Sequence, residues 1–189
     1  DLIFENDSIN TIIISTRHHQ HTDQVIKGLK AKKNIFVEKP LAIDHHQFDK
    51  ISDFLQSIEP SERSHLMIGF NRRFSQFSKM AMNALASSCE PKFLNITINA
   101  GYIPKDHWTQ DRLVGGGRLI GEACHFIDLS KYLISKKIIK YDIEKITHDT
   151  FSFRLIFEDG SISVVNYVAC GHKSYPKEKI EIFYEKKTI

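Results

Sequence analysis

Cysteine is scarce in this sequence: Cys89, Cys124 and Cys170 lie far apart and in no C-x-x-C spacing. An odd, scattered set excludes a disulfide framework and a cysteine-based zinc site, and it suits a reducing compartment, so a cytoplasmic location is expected. Long hydrophobic runs are missing as well. No stretch approaches the roughly 18 apolar residues of a membrane span, and no basic-then-apolar leader opens the chain, so no membrane partner is expected. Charge of one sign is also lacking. The 26 basic and 23 acidic residues are interspersed and leave a formal charge of +3. With no basic block and no basic-aromatic stripe, nucleic acid is not an expected partner. What is present, 41% hydrophobic against 26% charged residues, is the balance of a chain that folds. The chain starts at Asp1, inside an α/β pattern, and sequence upstream is therefore expected to be missing.

The order of elements supplies the fold class. Ile12-Ile13-Ile14 is a short β-branched run of the kind buried on both faces of a parallel sheet. A polar loop, Thr16 to His21, leads into a helix over about 22–32, with Val25, Ile26 and Leu29 on one face, and then into a second apolar strand, Asn34 to Val37. Strand, helix, strand with short links is a crossover, which implies parallel strands. Asp44 is placed to cap a helix running to about Ser57, and Leu66 to Phe70 forms a third strand. These segments resemble the later half of a doubly wound, Rossmann-like nucleotide-binding domain, assigned to residues 1–72.

Beyond residue 72 the period changes. A helix over about 75–86 precedes Phe93 to Ala100, where apolar and polar residues alternate as in a half-buried strand. Residues 151–157, 161–169 and 179–184 continue the pattern, with a turn at Glu158-Asp159-Gly160, and a helix over 118–135 is inserted before them. Residues 73–189 thus read as an α+β domain for substrate and oligomerisation, an open antiparallel sheet with helices on one face.

Glu38-Lys39-Pro40 falls just past the carboxyl end of a parallel strand, the edge at which open α/β sheets bind ligands. A lysine held there can polarise a substrate hydroxyl or exchange a proton with it; on the residues alone, a solvated strand-end loop stays open as well. Arg118, Glu122, His125, Asp128 and Tyr132 are spaced to form one polar helix stripe. His125 then stands with carboxylates on either side, as a general base or acid would, although a solvated face with an ion pair has the same pattern. His18-His19-Gln20-His21 and His45-His46 suggest metal, but adjacent histidines seldom converge on one ion, so no metal is expected. Gly115-Gly116-Gly117 opens a helix and could cradle phosphate, but it lacks the G-x-G-x-x-G spacing and reads better as a closely packed loop.

Taken in order, Ser15 to His21, Val37-Glu38-Lys39-Pro40-Leu41, Gly69-Phe70-Asn71-Arg72-Arg73-Phe74, Asn99 to Pro104, His107-Trp108 and Gly115 to Asp128 resemble segments of the Gfo/Idh/MocA family of NAD(P)-dependent oxidoreductases. The resemblance runs from about Ile9 to the end of the chain, and its subgroup accompanies sugar and cell-surface polysaccharide enzymes. It implies hydride transfer between NAD or NADP and a hydroxyl or keto carbon of a sugar, cyclitol or sugar nucleotide. Lys39 would be the catalytic lysine and His125 the acid/base histidine, with Glu122 and Asp128 beside it. Thr16, Arg17, His18, His21, Glu38, Lys39, Asn71 and Arg72 would serve the cofactor, and Tyr102, His107 and Trp108 the substrate. A homo-oligomer through the antiparallel sheet is implied too.

The chain departs from the family pattern in three ways. Gly121 stands where many members carry an aspartate one turn before the histidine; Glu122 can substitute only if the helix presents it differently. Arg17 replaces a frequent proline. The glycine-rich turn that holds the pyrophosphate is absent from this sequence, so the chain by itself is expected to bind dinucleotide poorly. The alternatives that remain are a noncatalytic binding or oligomerisation module of the same family and, more distantly, a metal-dependent hydrolase.

Overall fold

A computed structural model describes residues 2–189, which divide into two compact units made of interleaved chain segments. Among the described residues the first comprises 2–70 and 105–122, the second 71–104 and 123–189. The sequence pattern sets the boundary after residue 72; it carries no sign that 105–122 returns to the first unit.

The first unit opens with a short helix, α1 (Leu2–Glu5), followed by β1 (Thr11–Ile14), α2 (His21–Lys30), β2 (Asn34–Val37), α3 (His45–Gln56) and β3 (Leu66–Ile68). The three strands pair in parallel in the order β1-β2-β3. Asp44 caps α3 as expected, accepting a hydrogen bond from the Gln47 amide at 2.7 Å. The core gathers Ile12 and Ile14 of β1, Ile35 and Val37 of β2, Val25, Ile26 and Leu29 of α2 and Ile51 of α3. Each buried aliphatic side chain contributes about 1.5–3 kcal/mol.

The expectation that β1 is buried on both faces is corrected by Ile13, which is 72% exposed. The buried residues of β1 alternate with exposed ones, so among the described residues apolar side chains cover only one face of this strand.

The second unit begins with a 3-10 turn at Asn71–Phe74 and α4 (Gln76–Leu85), then β4 (Phe93–Asn99). After residue 122 the chain continues through α5 (Cys124–Ile134), β5 (Ile138–Lys145), β6 (Phe151–Phe157), β7 (Ile162–Val168), β8 (Glu178–Tyr184) and β9 (Lys187–Thr188). The sheet order is β5-β6-β7-β4-β8-β9. It is mixed rather than purely antiparallel, because β4 pairs in parallel with β7 and antiparallel with β8.

Leu94, Ile96 and Ile98 lie opposite Ser163, Val165 and Tyr167 on the buried face. Ser130 of α5 meets Ser163 there, Oγ to Oγ at 2.8 Å, so two buried hydroxyls satisfy each other. The other face carries a polar row across four strands. Ser152 donates to Asn166 at 2.9 Å, Asn166 to Asn95 at 3.4 Å and Asn95 to Glu181 at 3.1 Å.

Candidate active site

Lys39 leaves the carboxyl end of β2, and its backbone position decides what the amine can reach. Nζ donates to the Gly121 carbonyl at 2.5 Å and to Glu122 Oε1 at 2.9 Å. The lysine side chain is 12% exposed and the glutamate 40%. The ammonium is thus nearly withdrawn from water, while its counter-charge stays at the surface.

Glu122 can meet Lys39 because Leu119–Ala123 is wound as a π-helical turn, not as the regular helix that the spacing predicts. A π turn re-aims side chains relative to an α-helix, and such turns occur often at functional sites. The same turn interrupts the regular spacing of the expected polar stripe, and Arg118 and His125 are buried, which counts against the alternative of a solvated face.

His18 stands on a 3-10 turn, His18–Gln20, just ahead of α2. Its Nδ1 lies 2.7 Å from the Gly115 carbonyl oxygen. A carbonyl only accepts, so Nδ1 carries the proton and the neutral ring leaves Nε2 as an acceptor. Burial pushes the imidazole below the ordinary histidine value against the Gly115 bond, which favours the charged ring; nearby Lys39 and His21 add to the lowering and Glu122 opposes it.

Trp108 packs edge-on to His18, with ring centroids 4.8 Å apart, and the Arg17 guanidinium sits 5.8 Å from its ring. Two residues expected on the cofactor side and one expected on the substrate side therefore meet. Thr16 donates to Gln24 at 2.9 Å. Glu38 lies against Gly69, where a Cβ would be 3.1 Å from its carboxylate. His107 is exposed and its Nδ1 lies 2.8 Å from Thr109 Oγ1.

His21 is fully buried. Its Nδ1 lies 2.8 Å from the Pro40 carbonyl and its Nε2 3.0 Å from that of Thr16. The sequence gives no sign of this, since His18, His19 and His21 look alike in the chain.

Within the triple glycine, Gly115 and Gly116 are closely packed, while a Cβ on Gly117 would meet nothing within 4 Å. The amides of Gly115 and Gly116 both donate to Asp111, at 2.8 and 3.1 Å, and Gly116 and Gly117 have φ of 75° and 73°, a conformation that favours glycine. Among the described residues, no three His, Cys, Asp or Glu side chains converge as a metal site requires.

In the second unit, His125 is buried in the first turn of α5. Asp128 is clasped by Arg73, which donates through Nε at 2.9 Å and also through Nη2. Arg73 lies 5.5 Å from the Tyr132 ring as well. Arg73 was not singled out in the sequence, although its neighbour Arg72 was. Arg72 pairs with Glu178 and lies 4.4 Å over the Phe126 ring. Asn71 opens the 3-10 turn, and Tyr102 is 74% exposed.

Residues 1–60 match the model of an oxidoreductase family with an NAD-binding Rossmann fold, the Gfo/Idh/MocA family. Across 99% of its length the chain is 24% identical to the myo-inositol 2-dehydrogenase of Thermotoga maritima, covering 58% of that protein. It is 26% identical over 72% of its length to the scyllo-inositol 2-dehydrogenase (NAD(+)) of Bacillus subtilis, covering 38% of it. Among solved structures, the myo-inositol dehydrogenase of Lactobacillus casei, in complex with NAD(H) and myo-inositol, superposes on all of the chain with a TM-score of 0.82 at 19% identity, over 56% of its own length. The chain spans little more than half the length of the two myo-inositol dehydrogenases. No helix among the described residues is long and apolar enough to cross a membrane.

Proposed function

We propose that this chain, whose first 60 residues match the Gfo/Idh/MocA family model, forms part of an NAD-dependent enzyme transferring a hydride between the nicotinamide and a hydroxyl-bearing carbon of a sugar or cyclitol. The observation that carries this reading is the Lys39 amine, drawn in beside Glu122 at the carboxyl end of a parallel strand.

The residues present fit the nicotinamide end of the cofactor: the ends of β1 and β2 gather Thr16, Arg17, His18 and Glu38, and His18 offers a bare Nε2. They do not supply the phosphate-binding turn, since the sequence has no G-x-G-x-x-G. When bound, the nicotinamide ring supplies the hydride acceptor. Lys39 donates to the substrate oxygen and stabilises the negative charge that develops there. Glu122 keeps the amine in place, and His125 accepts the hydroxyl proton. Asp128 acts through its clasp with Arg73 rather than on the substrate. Tyr102, His107 and Trp108 provide the aromatic and polar groups that carbohydrate faces favour. The polar sheet face around Asn95 and Asn166 is the surface through which a homo-oligomer would form, and a cytoplasmic setting agrees with the three free cysteines.

The test is NADH formation by the full-length gene product against a panel of inositols and aldoses. Turnover that falls at least about 100-fold in Lys39→Ala supports the reading. Dinucleotide binding without turnover on any of them favours a noncatalytic binding module instead.

A further inference from the structure

We infer that His21 is a positioning residue for Lys39, a buried two-ended tie between the end of β1 and the turn that follows β2. The backbone around Lys39 needs one. The ladder between β1 and β2 closes with the Glu38 amide donating to Ile14 at 2.8 Å. Past that point, among the described residues, the backbone of Lys39, Pro40 and Leu41 makes no hydrogen bond to other backbone. Two consecutive side chains of the first turn of α2 hold it. His21 Nδ1 takes the Pro40 carbonyl at 2.8 Å, and Thr22 Oγ1 donates to the Leu41 carbonyl at 2.8 Å. The other ring nitrogen, Nε2, reaches the Thr16 carbonyl at 3.0 Å, so a single imidazole spans the ends of both strands.

Both acceptors are carbonyls, which cannot donate. Each ring nitrogen lies within hydrogen-bond distance of a carbonyl oxygen, so whichever nitrogen carries the N–H donates to one of the two loops. The ring is 0% exposed, so neither bond can be replaced by water without opening the core.

A lysine amine on four rotatable bonds meets two fixed acceptors only when its Cα is fixed too. Lys39 does so, at Gly121 O and Glu122 Oε1, although no ladder holds its backbone. The tie from His21 to Pro40 supplies the missing constraint. Buried as it is, His21 takes part in the site through the loops it holds.

The inference rests on Lys39 being the acting amine, but its test reads where the amine sits and requires no turnover. The 189-residue chain is pulsed with an amine-acetylating reagent and each lysine is followed by mass spectrometry. Lys33, buried with Nζ bonded to the Asn6 carbonyl at 2.9 Å, is the internal reference in the same unit. In His21→Ala and His21→Gln, labelling of Lys39 is expected to rise about tenfold while Lys33 stays within about twofold. Unchanged labelling of Lys39, or equal rises at both lysines, overturns the inference, the first because nothing was held and the second because His21 only packs the core.

Where the variants do not fold, the wild-type chain decides, through the ring ¹H and ¹⁵N resonances of His21 at neutral pH. A ring N–H that exchanges slowly with solvent is expected, and rapid exchange at both ring nitrogens overturns the tie. Lys39→Ala retaining hydride transfer, with the slow His21 N–H intact, would remove the functional reading and leave the tie standing.

Discussion

Gly121 and His18 share a space that has room for only one side chain: a Cβ on Gly121 would stand 3.2 Å from His18 Cε1 and 3.0 Å from the Gly115 carbonyl oxygen. A histidine at 18 and a bare position at 121 are therefore two halves of one arrangement. Gly121→Ala should destabilise the first unit by about 1–3 kcal/mol, because the ring and a backbone carbonyl must both give way. Gly121→Asp should cost more. His18→Ala in the same chain should return part of the loss, since it removes one of the two contacts. Trp108 is the only tryptophan and touches His18, so its fluorescence during urea unfolding reads the change. An alanine at 121 with no loss of stability would mean that the space is larger than the geometry allows.

Acid should weaken the first unit through His18. Its folded imidazole titrates below the ordinary value of 6.5, chiefly because burial disfavours the charged ring. As pH falls through 6.5 the unfolded chain takes up the proton first, so stability declines from there until the folded value is passed and is level below it. Urea midpoints measured across this window should fall in the wild type and fall less in His18→Asn. Equal slopes in the two proteins would assign the acid sensitivity to other groups.

Glu122→Gln separates the stability of the ion pair from its use. The glutamate is 40% exposed, so solvent screening limits the loss of stability to below about 1 kcal/mol. The amine keeps its bond to Gly121 but loses its neighbouring charge. In the turnover assay that tests the proposed hydride transfer, kcat should then fall by about tenfold or more with KM little changed, as steady-state kinetics would show. A rise in KM alone would place Glu122 in substrate binding.

Asp128 should behave as a structural anchor of the second unit. Asp128→Ala leaves the Arg73 guanidinium without its carboxylate and should destabilise by about 1–3 kcal/mol. Arg73→Ala combined with Asp128→Ala should cost less than the sum of the single changes, because no unmatched charge remains. Thermal unfolding together with hydrogen exchange in α5 measures both. Additive losses would show that the pair is not coupled.

Much of this architecture was legible in the residues. The apolar runs at 34–37 and 93–99, the Asp44 cap, the apolar face of α2 and the extents of α3 and α4 are local patterns, and local patterns survive into the fold. β5 was not legible. It lies at the sheet margin, where Tyr141 and Ile139 remain exposed, and its polar alternation looks like a loop. Nor did period-2 alternation reveal that β4 runs parallel to β7, since it marks a strand without naming its partner.

Among the candidate site residues, Lys39 and His125 stood out by residue type and motif. The π turn that brings Glu122 to Lys39 did not, because spacing arguments assume a regular helix. The separate parts of His18 and His21 were hidden as well: three histidines within four residues look equivalent until the backbone decides which carbonyls each ring meets.

The seating of β4 sets a schedule for how the chain can be made. Phe93 finds its parallel partner in Ile162 and its antiparallel partner in Phe183, so the central strand of this sheet is synthesised long before either neighbour exists. Until the ribosome has released β7, β4 has two open edges, and one of them stays open until residues as late as Tyr184 have emerged. Pairings of such sequence separation form slowly. The second unit is thus the part of this protein most exposed to aggregation during translation, and a slowed ribosome or a stop codon before β8 would leave a sticky strand where a finished sheet should be.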